Sequence, residues 1–364
     1  MEPRKRITKK DIASRLNISI ATVDRVFNNR GYVSPKTREL VLETAREINY
    51  IPNRNAMYLS KKKTCCIGVS YIFSDWFAEQ IEYGIHHAEQ ELMDYGLLQV
   101  IASKDAHTVK EQIEKIRDML PMIDALAVSP REPSEEFTSL INEVIESGKP
   151  VICFNTDAPT SKRIAYVGSD YLRAGRAAAE MMRYCVNSQG DVGIIIRNRS
   201  LTNISQRITG FRQYMSKHTG VHIIGPFNVS SGEADAVPME QILKENSSLR
   251  GLIVMSDNLG HVAEEVTRLG YKGKVAIIGF DLNSRHVTLL ERGDISAVIC
   301  QQPVYQGYEA VRMLFDYIME KKAPQKTENI TKFEIVMQEN LDTYYDRDVL
   351  HQKNTWQAFP RVLP

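Results

Sequence analysis

Residues 11–50 read DIASRLNISIATVDRVFNNRGYVSPKTRELVLETAREINY, and the spacing of their apolar side chains decides what the first part of the chain is. Ile12, Ala13 and Leu16 fall on one face of a first helix, opened by Thr8 with Asp11 three residues on, the pattern of a capping box. A turn at Asn17 and Ile18 follows. Ser19 then caps a second helix in which Val23, Val26 and Phe27 point inward at helical spacing, leaving Ile20, Ala21, Asp24, Arg25 and Asn28 outward. Ser34-Pro35 opens a third helix, Ser as cap and Pro at the first helical position, whose Val41, Thr44, Ala45 and Ile48 close a small core. Two short helices joined by a tight turn and braced by a third form a helix-turn-helix, whose second helix fits a DNA major groove.

Charge supports this reading. The whole chain of 364 residues carries a net charge of +1, but residues 1–63 hold 15 Lys and Arg against 6 Asp and Glu, and the remainder 31 against 39. A basic head on an acidic body suggests a polyanion partner for the head, because neutralised phosphates supply most non-specific affinity for DNA. The start MEPRKRITKK lacks the apolar core of a signal peptide and no apolar run is long enough for a membrane span. The expected location is therefore the cytoplasm, in association with the nucleoid, with no membrane partner. Five cysteines, odd in number and without C-x-x-C spacing, suggest buried reduced thiols rather than disulfides or a zinc site.

From residue 64 the pattern changes. Apolar runs CIGVSYIF, LQVIA, DALAVS, PVICFN, DVGIIIR, GLIVMS, VAIIGFD and ISAVICQQ recur with amphipathic stretches such as EEFTSLINEVIESG between them, the rhythm of parallel α/β domains. Ligand sites in such domains lie outside the carboxyl ends of the strands. No G-x-G-x-x-G follows a strand, no phosphate-binding G-x-x-x-x-G-K-S/T occurs and no H-E-x-x-H appears, so no cofactor, catalytic residue or metal is expected. The eight histidines are scattered, as surface or internally satisfied groups would be.

The head and the segment after it, DIASRLNISIATVDRVFNNRGYVSPKTRELVLETAREINYIPNRNAMYLSKKKTCCIGV, resemble the lactose-repressor (LacI) family of bacterial transcription regulators. The pattern T-V-x-R-V-x-N, then V-S-x-x-T-R, then N-Y-x-P-N-x-x-A-x-x-L carries the resemblance. It implies that Ile20 and Ala21 read bases and that Thr8, Ser19, Thr22, Arg25, Asn28, Ser34, Thr37 and Asn53 contact DNA, mostly at phosphates. It further implies that PNRNAMYL, residues 52–59, forms a hinge helix on DNA, with Leu59 wedged into the minor groove and Ala56 packed nearby. Inserting such a wedge costs a few kcal/mol of unstacking, offset by the contacts of a bent duplex. One departure stands out: where the family usually has Ser before the recognition-helix Arg, this chain has Asp24, whose carboxylate phosphate would repel unless it pairs with a base or with Arg25.

The body resembles the family's ligand domain, which shares its fold with type I periplasmic sugar-binding proteins: two α/β lobes with parallel sheets, clamping a small molecule between them. The implied organisation is a helix-turn-helix domain over 1–51, a hinge and linker over 52–63, a two-lobed effector and dimerisation domain over 64–342, and a tail over 343–364. A sugar needs forked donors, carboxylate or amide acceptors and aromatic rings. The matching positions are Trp76, Phe77, Asn155, Arg207, Ser256, Asp281 and Gln301. Close sugar-binding relatives often have a carboxylate and then Arg where this chain has Asn155 and Thr156. The expectation is a homodimeric repressor of pseudo-palindromic operator DNA, controlled by a sugar or polyol effector. The tail has no leucine heptad that would suggest a higher oligomer. A sugar receptor without a transcriptional role is the alternative, against which the basic head counts.

Overall fold

The computed structural model describes residues 8–28, 31–48, 50, 64–73, 75–197, 201–229 and 236–344. The chain forms two compact units that part after Lys63. In the first, α1 (Lys9–Leu16), α2 (Ile20–Asn28) and α3 (Pro35–Glu47) enclose Ile12, Val23 and Val41, each fully buried, with Val26 and Ala45 beside them. Burying aliphatic side chains of this size stabilises by about 1.5–3 kcal/mol each. Between α1 and α2 the backbone turns at Asn17, which takes the left-handed conformation that Asn tolerates better than most residues. Phe27 leans on Tyr50 with ring centroids 5.2 Å apart, closing the open end of this small core.

The second unit holds two six-stranded sheets. One comprises β1 (Cys65–Ser70), β2 (Leu97–Ser103), β3 (Ala125–Val128), β4 (Val151–Phe154), β5 (Ala165–Gly168) and β11 (Glu328–Ile330), in the order β11-β5-β4-β3-β1-β2. The other comprises β6 (Gly190–Ile196), β7 (Val221–Asn228), β8 (Leu249–Val254), β9 (Ala276–Phe280), β10 (Ala297–Cys300) and β12 (Glu334–Val336), in the order β12-β10-β9-β8-β6-β7. Every pairing is parallel except the antiparallel one of β10 with β12. Central strands such as ALAV in β3 and VICF in β4 are buried along their whole length, as parallel strands covered on both faces must be. All eight apolar runs picked out in the sequence are strands, and four further strands accompany them.

The chain passes between the lobes three times: after β5, after β10, and between β11 and β12. Each lobe also has a pair of closely packed helices. In the second lobe, Gly175 on helix Tyr171–Cys185 faces the backbone of Arg207, and Gly210 on helix Thr202–Met215 faces that of Leu172. A Cβ at Gly175 would lie 2.1 Å from the Arg207 carbonyl oxygen, so only glycine admits this approach, which sets where Arg207 stands. In the first lobe, Gly84 and Gly307 serve the same purpose for helices Asp75–Met93 and Pro303–Glu320.

Packing of the second lobe extends past 342, since Tyr344 still leans on its core. The cysteines depart from the expectation of uniform burial. Cys65 and Cys153 are buried, Cys66 and Cys300 are partly so, and Cys185 is exposed at the end of its helix.

Candidate functional site

On the head, the outward face of α2 presents Ile20, half exposed despite being apolar, with Ala21 and Arg25 beside it. Ser19 and Ser34 have the same local arrangement at the starts of α2 and α3. The Ser19 hydroxyl accepts from the Thr22 amide at 3.0 Å and shares a hydrogen bond with the Thr22 hydroxyl at 2.9 Å. Ser34 does the same toward Thr37, at 3.2 and 2.7 Å. These four side chains hold the helix N-termini, whose free N–H groups and positive dipole ends favour phosphate. At α1, the Asp11 carboxylate accepts from both the amide and the hydroxyl of Thr8, each at 2.7 Å, the first of these being the side-chain-to-N-cap half of the capping box. Asn28 is the last residue of α2, while Asn53, Ala56 and Leu59 lie outside the described residues.

Asp24 has found a partner other than the two expected. Its carboxylate pairs with the Lys9 ammonium at 2.5 Å, so compensating charge reaches it from α1. Lys9 stands in the first turn of α1, directly across from α2, and Arg25 is left to face outward.

In the body, a cavity of about 450 Å³ opens between the lobes. Trp76, Phe77, Asn155, Arg207, Ser256, Asp281 and Gln301 all line it. Asn155 and Asp281 hold equivalent places. Each follows a strand ending in Phe, each is left-handed (φ 55° and 65°), and each donates its amide to the neighbouring strand at 2.9 Å. Tyr166 and Tyr171 donate their hydroxyls to the Asn155 carbonyl at 2.7 and 3.0 Å, fixing its turn. Asn155 thus forms a turn and lines the cavity at once.

Arg207 is buried over Phe280, its guanidinium carbon 3.8 Å from the ring centroid, and donates to the Met255 carbonyl at 3.2 Å. Asp281 stands 3.9 Å from it, too far for a direct hydrogen bond, and accepts from the Gln301 amide at 3.0 and 3.1 Å. Burial pushes the Asp281 carboxyl above its usual range, and Arg207 and Gln301 only partly offset this. Burial likewise lowers the Arg207 guanidinium, against the pull of Asp281. Arg207 Nε and Gln301 Oε1 are buried with no hydrogen-bond partner. One unmet donor and one unmet acceptor beside a carboxylate are suited to a ligand that both accepts and donates, such as a hydroxyl.

Some lining groups were not read from the sequence. Ile72, Phe73, Arg197, Leu201, Asn203, Ile204, Met255, Asp257 and Phe280 also face the cavity. Phe73 and Phe280 had a signal, since each adjoins a segment already singled out, YIFSDWF and IIGFD. Two supporting residues had none. His286, 1% exposed, contacts the Asp281 carbonyl through Nδ1 at 2.9 Å and leans on Trp76 across the cleft. A carbonyl only accepts, so Nδ1 carries the proton, and burial lowers this imidazole to about 4. Gln306, fully buried, accepts from Asn155 Nδ2 at 3.2 Å and donates to the Gln301 carbonyl at 2.7 Å. The same carbonyl accepts from Thr331, whose hydroxyl meets Ser169 at 3.3 Å. One buried chain of polar groups therefore ties the cavity floor to all three crossings.

A helix-turn-helix head joined to a two-lobed, cleft-bearing α/β body defines the class of single-chain DNA-binding regulators with a built-in small-molecule domain. Residues 67–322 match the periplasmic binding protein domain and residues 8–53 the bacterial regulatory proteins of the lacI family. The chain belongs to the lacI family and is a sequence-reading transcription regulator. It is 29% identical over 283 residues to the HTH-type transcriptional regulator DegA of Bacillus subtilis, covering 74% of this chain and 80% of the relative. It is 25% identical over 325 residues to the ribose operon repressor of Halalkalibacterium halodurans, covering 86% and 91%. The fold also matches GanP, a glucose-galactose binding protein from Geobacillus stearothermophilus, with a TM-score of 0.67 and 24% identity, covering 77% of this chain and 99% of that one. No helix among the described residues is long and apolar enough to cross a membrane.

Proposed function

We propose that this regulator is a cytoplasmic, nucleoid-associated repressor. It acts as a homodimer on a pseudo-palindromic operator, and a small sugar or polyol in the cleft changes its hold on DNA. The observation that carries the effector half is the pair of unmet buried groups, Arg207 Nε and Gln301 Oε1, flanking Asp281 in the interlobe cavity. The name of one relative, a ribose operon repressor, is in keeping with it. On the DNA side, Ile20 and Ala21 read bases, Arg25 joins them, and Ser19, Thr22, Ser34 and Thr37 seat two helix N-termini against phosphates. A two-fold dimer follows because one helix-turn-helix reads only a half-site. Residues 52–63 act as the hinge, with Leu59 as its wedge and Asn53 and Ala56 in support.

Binding-site selection followed by a mobility shift in the presence of pentoses, hexoses and cyclitols tests both halves. The expected result is a palindromic site whose occupancy changes with one sugar, and the same sugar should raise the melting temperature by mass action. A selected site indifferent to every sugar, together with an unmoved melting temperature, would refute the effector.

A further inference from the structure

The two walls of the cavity differ in chemistry. Of the five described lining residues from the first lobe, four are apolar or aromatic and the fifth is Asn155. One N–H of Asn155 Nδ2 is committed to Gln306, leaving the second N–H and the carboxamide oxygen. Trp76 adds one indole N–H. The opposite wall offers seven polar side chains among eleven described lining residues, including Arg207, Asp281 and Gln301.

A fully hydroxylated sugar ring has hydroxyls on every edge. Set in this cavity, the edge facing Ile72, Phe73 and Phe77 would lose its water and find few partners, a cost paid for each hydroxyl buried there. Phe73 cannot readily turn away to admit water. It stacks on Tyr71 at 5.3 Å and meets Phe77 edge-on at 5.1 Å, and Phe77 in turn is edge-on to Trp76. Among the described residues this wall is a packed aromatic cluster. A hydrogen or methyl group in place of a hydroxyl would gain contact on it.

We infer that the effector is a deoxy sugar: its polar edge meets Arg207, Asp281 and Gln301, and an edge lacking a hydroxyl meets Ile72 and the aromatic wall. This rests on the sugar reading above and narrows it.

The test is calorimetric titration of the full-length protein with matched pairs: D-galactose and D-fucose, L-mannose and L-rhamnose, D-ribose and 2-deoxy-D-ribose. In at least one pair the deoxy sugar should bind about tenfold tighter than its parent. Ile72→Thr, which places a hydroxyl on the wall, should shrink that ratio, and Ile72→Val, which does not, should keep it. Parents binding as well as or better than their deoxy partners in every pair would overturn the inference while leaving the sugar reading intact. An equal ratio in Ile72→Thr and Ile72→Val would overturn it too. The absence of heat and of thermal shift with all six sugars would remove the sugar reading and the inference together.

Discussion

Asn155 and Asp281 close two strands with the same backbone device, yet one lobe uses it to hold a buried neutral amide and the other a partly buried carboxyl group. The fold dictates the turn; the chemistry at its tip is free to vary. On the first lobe the tip is braced by two tyrosine hydroxyls and Gln306, all neutral. On the second it sits in a mutually dependent set of Arg207, Asp281, Gln301 and His286. The second lobe should therefore account for both the ligand's polar recognition and the larger energetic penalties of mutation.

The sharpest way to break this comparison is to remove charge from one side and amide from the other. Arg207→Ala removes the buried cation beside the partly buried Asp281, together with its packing on Phe280, and should cost about 3 kcal/mol. Asn155→Ala removes a neutral hydrogen bond and should cost about 1–2 kcal/mol. Urea denaturation of the two variants measures both, and equal losses would undo the asymmetry.

Next in size is a pH effect confined to the second lobe. The His286 imidazole is held down to about 4 from 6.5, so on acidification the unfolded chain takes up the proton before the native one. The stability that neutral His286 contributes is present above pH 6.5 and is lost as pH falls toward 4, by up to about 3 kcal/mol. Asp281 works in the opposite sense: its raised carboxyl is protonated first in the native state, so stability is gained as pH falls through that raised value. Denaturation midpoints across pH 4–7 should slope less steeply in His286→Gln than in the wild type, and an identical slope would exclude His286 as the source.

The smallest effect expected is on the link between the tips. Gln306 bridges Asn155 and the Gln301 carbonyl, so Gln306→Leu and Asn155→Ala should not be additive, with a coupling on the order of 0.5–1 kcal/mol. A double-mutant cycle by denaturation reads it, and simple additivity would show that the two lobes' polar floors are independent.

Much of this architecture was legible in the sequence, and the gaps have physical reasons. The eight strands that read clearly are buried runs of β-branched and aliphatic residues. β7, VHIIGPFN, was missed because Gly225 and Pro226 interrupt it; as an edge strand it tolerates a proline that a central strand would not. β11 and β12 are three residues each and half polar, too short for any alternation to register. In the head, helical spacing placed the core residues, but it could not show that Lys9 reaches Asp24, because that contact depends on how α1 lies across α2. In the cavity, the residues named came from strand ends or from two helices, Trp76 and Phe77 on one and Arg207 on the other. His286 and Gln306 escaped notice because their importance lies in what they hold, and nothing in a local pattern encodes a contact between Gln306 and Asn155, 151 residues away.

The claim that the second lobe carries recognition of the effector, separately from the DNA-binding head, is tested most directly with Asp281→Asn, which keeps the side chain's shape and removes its charge. Calorimetric titration with the sugar that moves the wild type, run beside operator binding of the unliganded proteins, is the decisive measurement. Ligand affinity should fall about tenfold or more, since a charged acceptor is worth about 1.5–3 kcal/mol to its hydrogen-bonded partner, while the operator is held as tightly as by the wild type. Wild-type sugar affinity in Asp281→Asn would contradict the account.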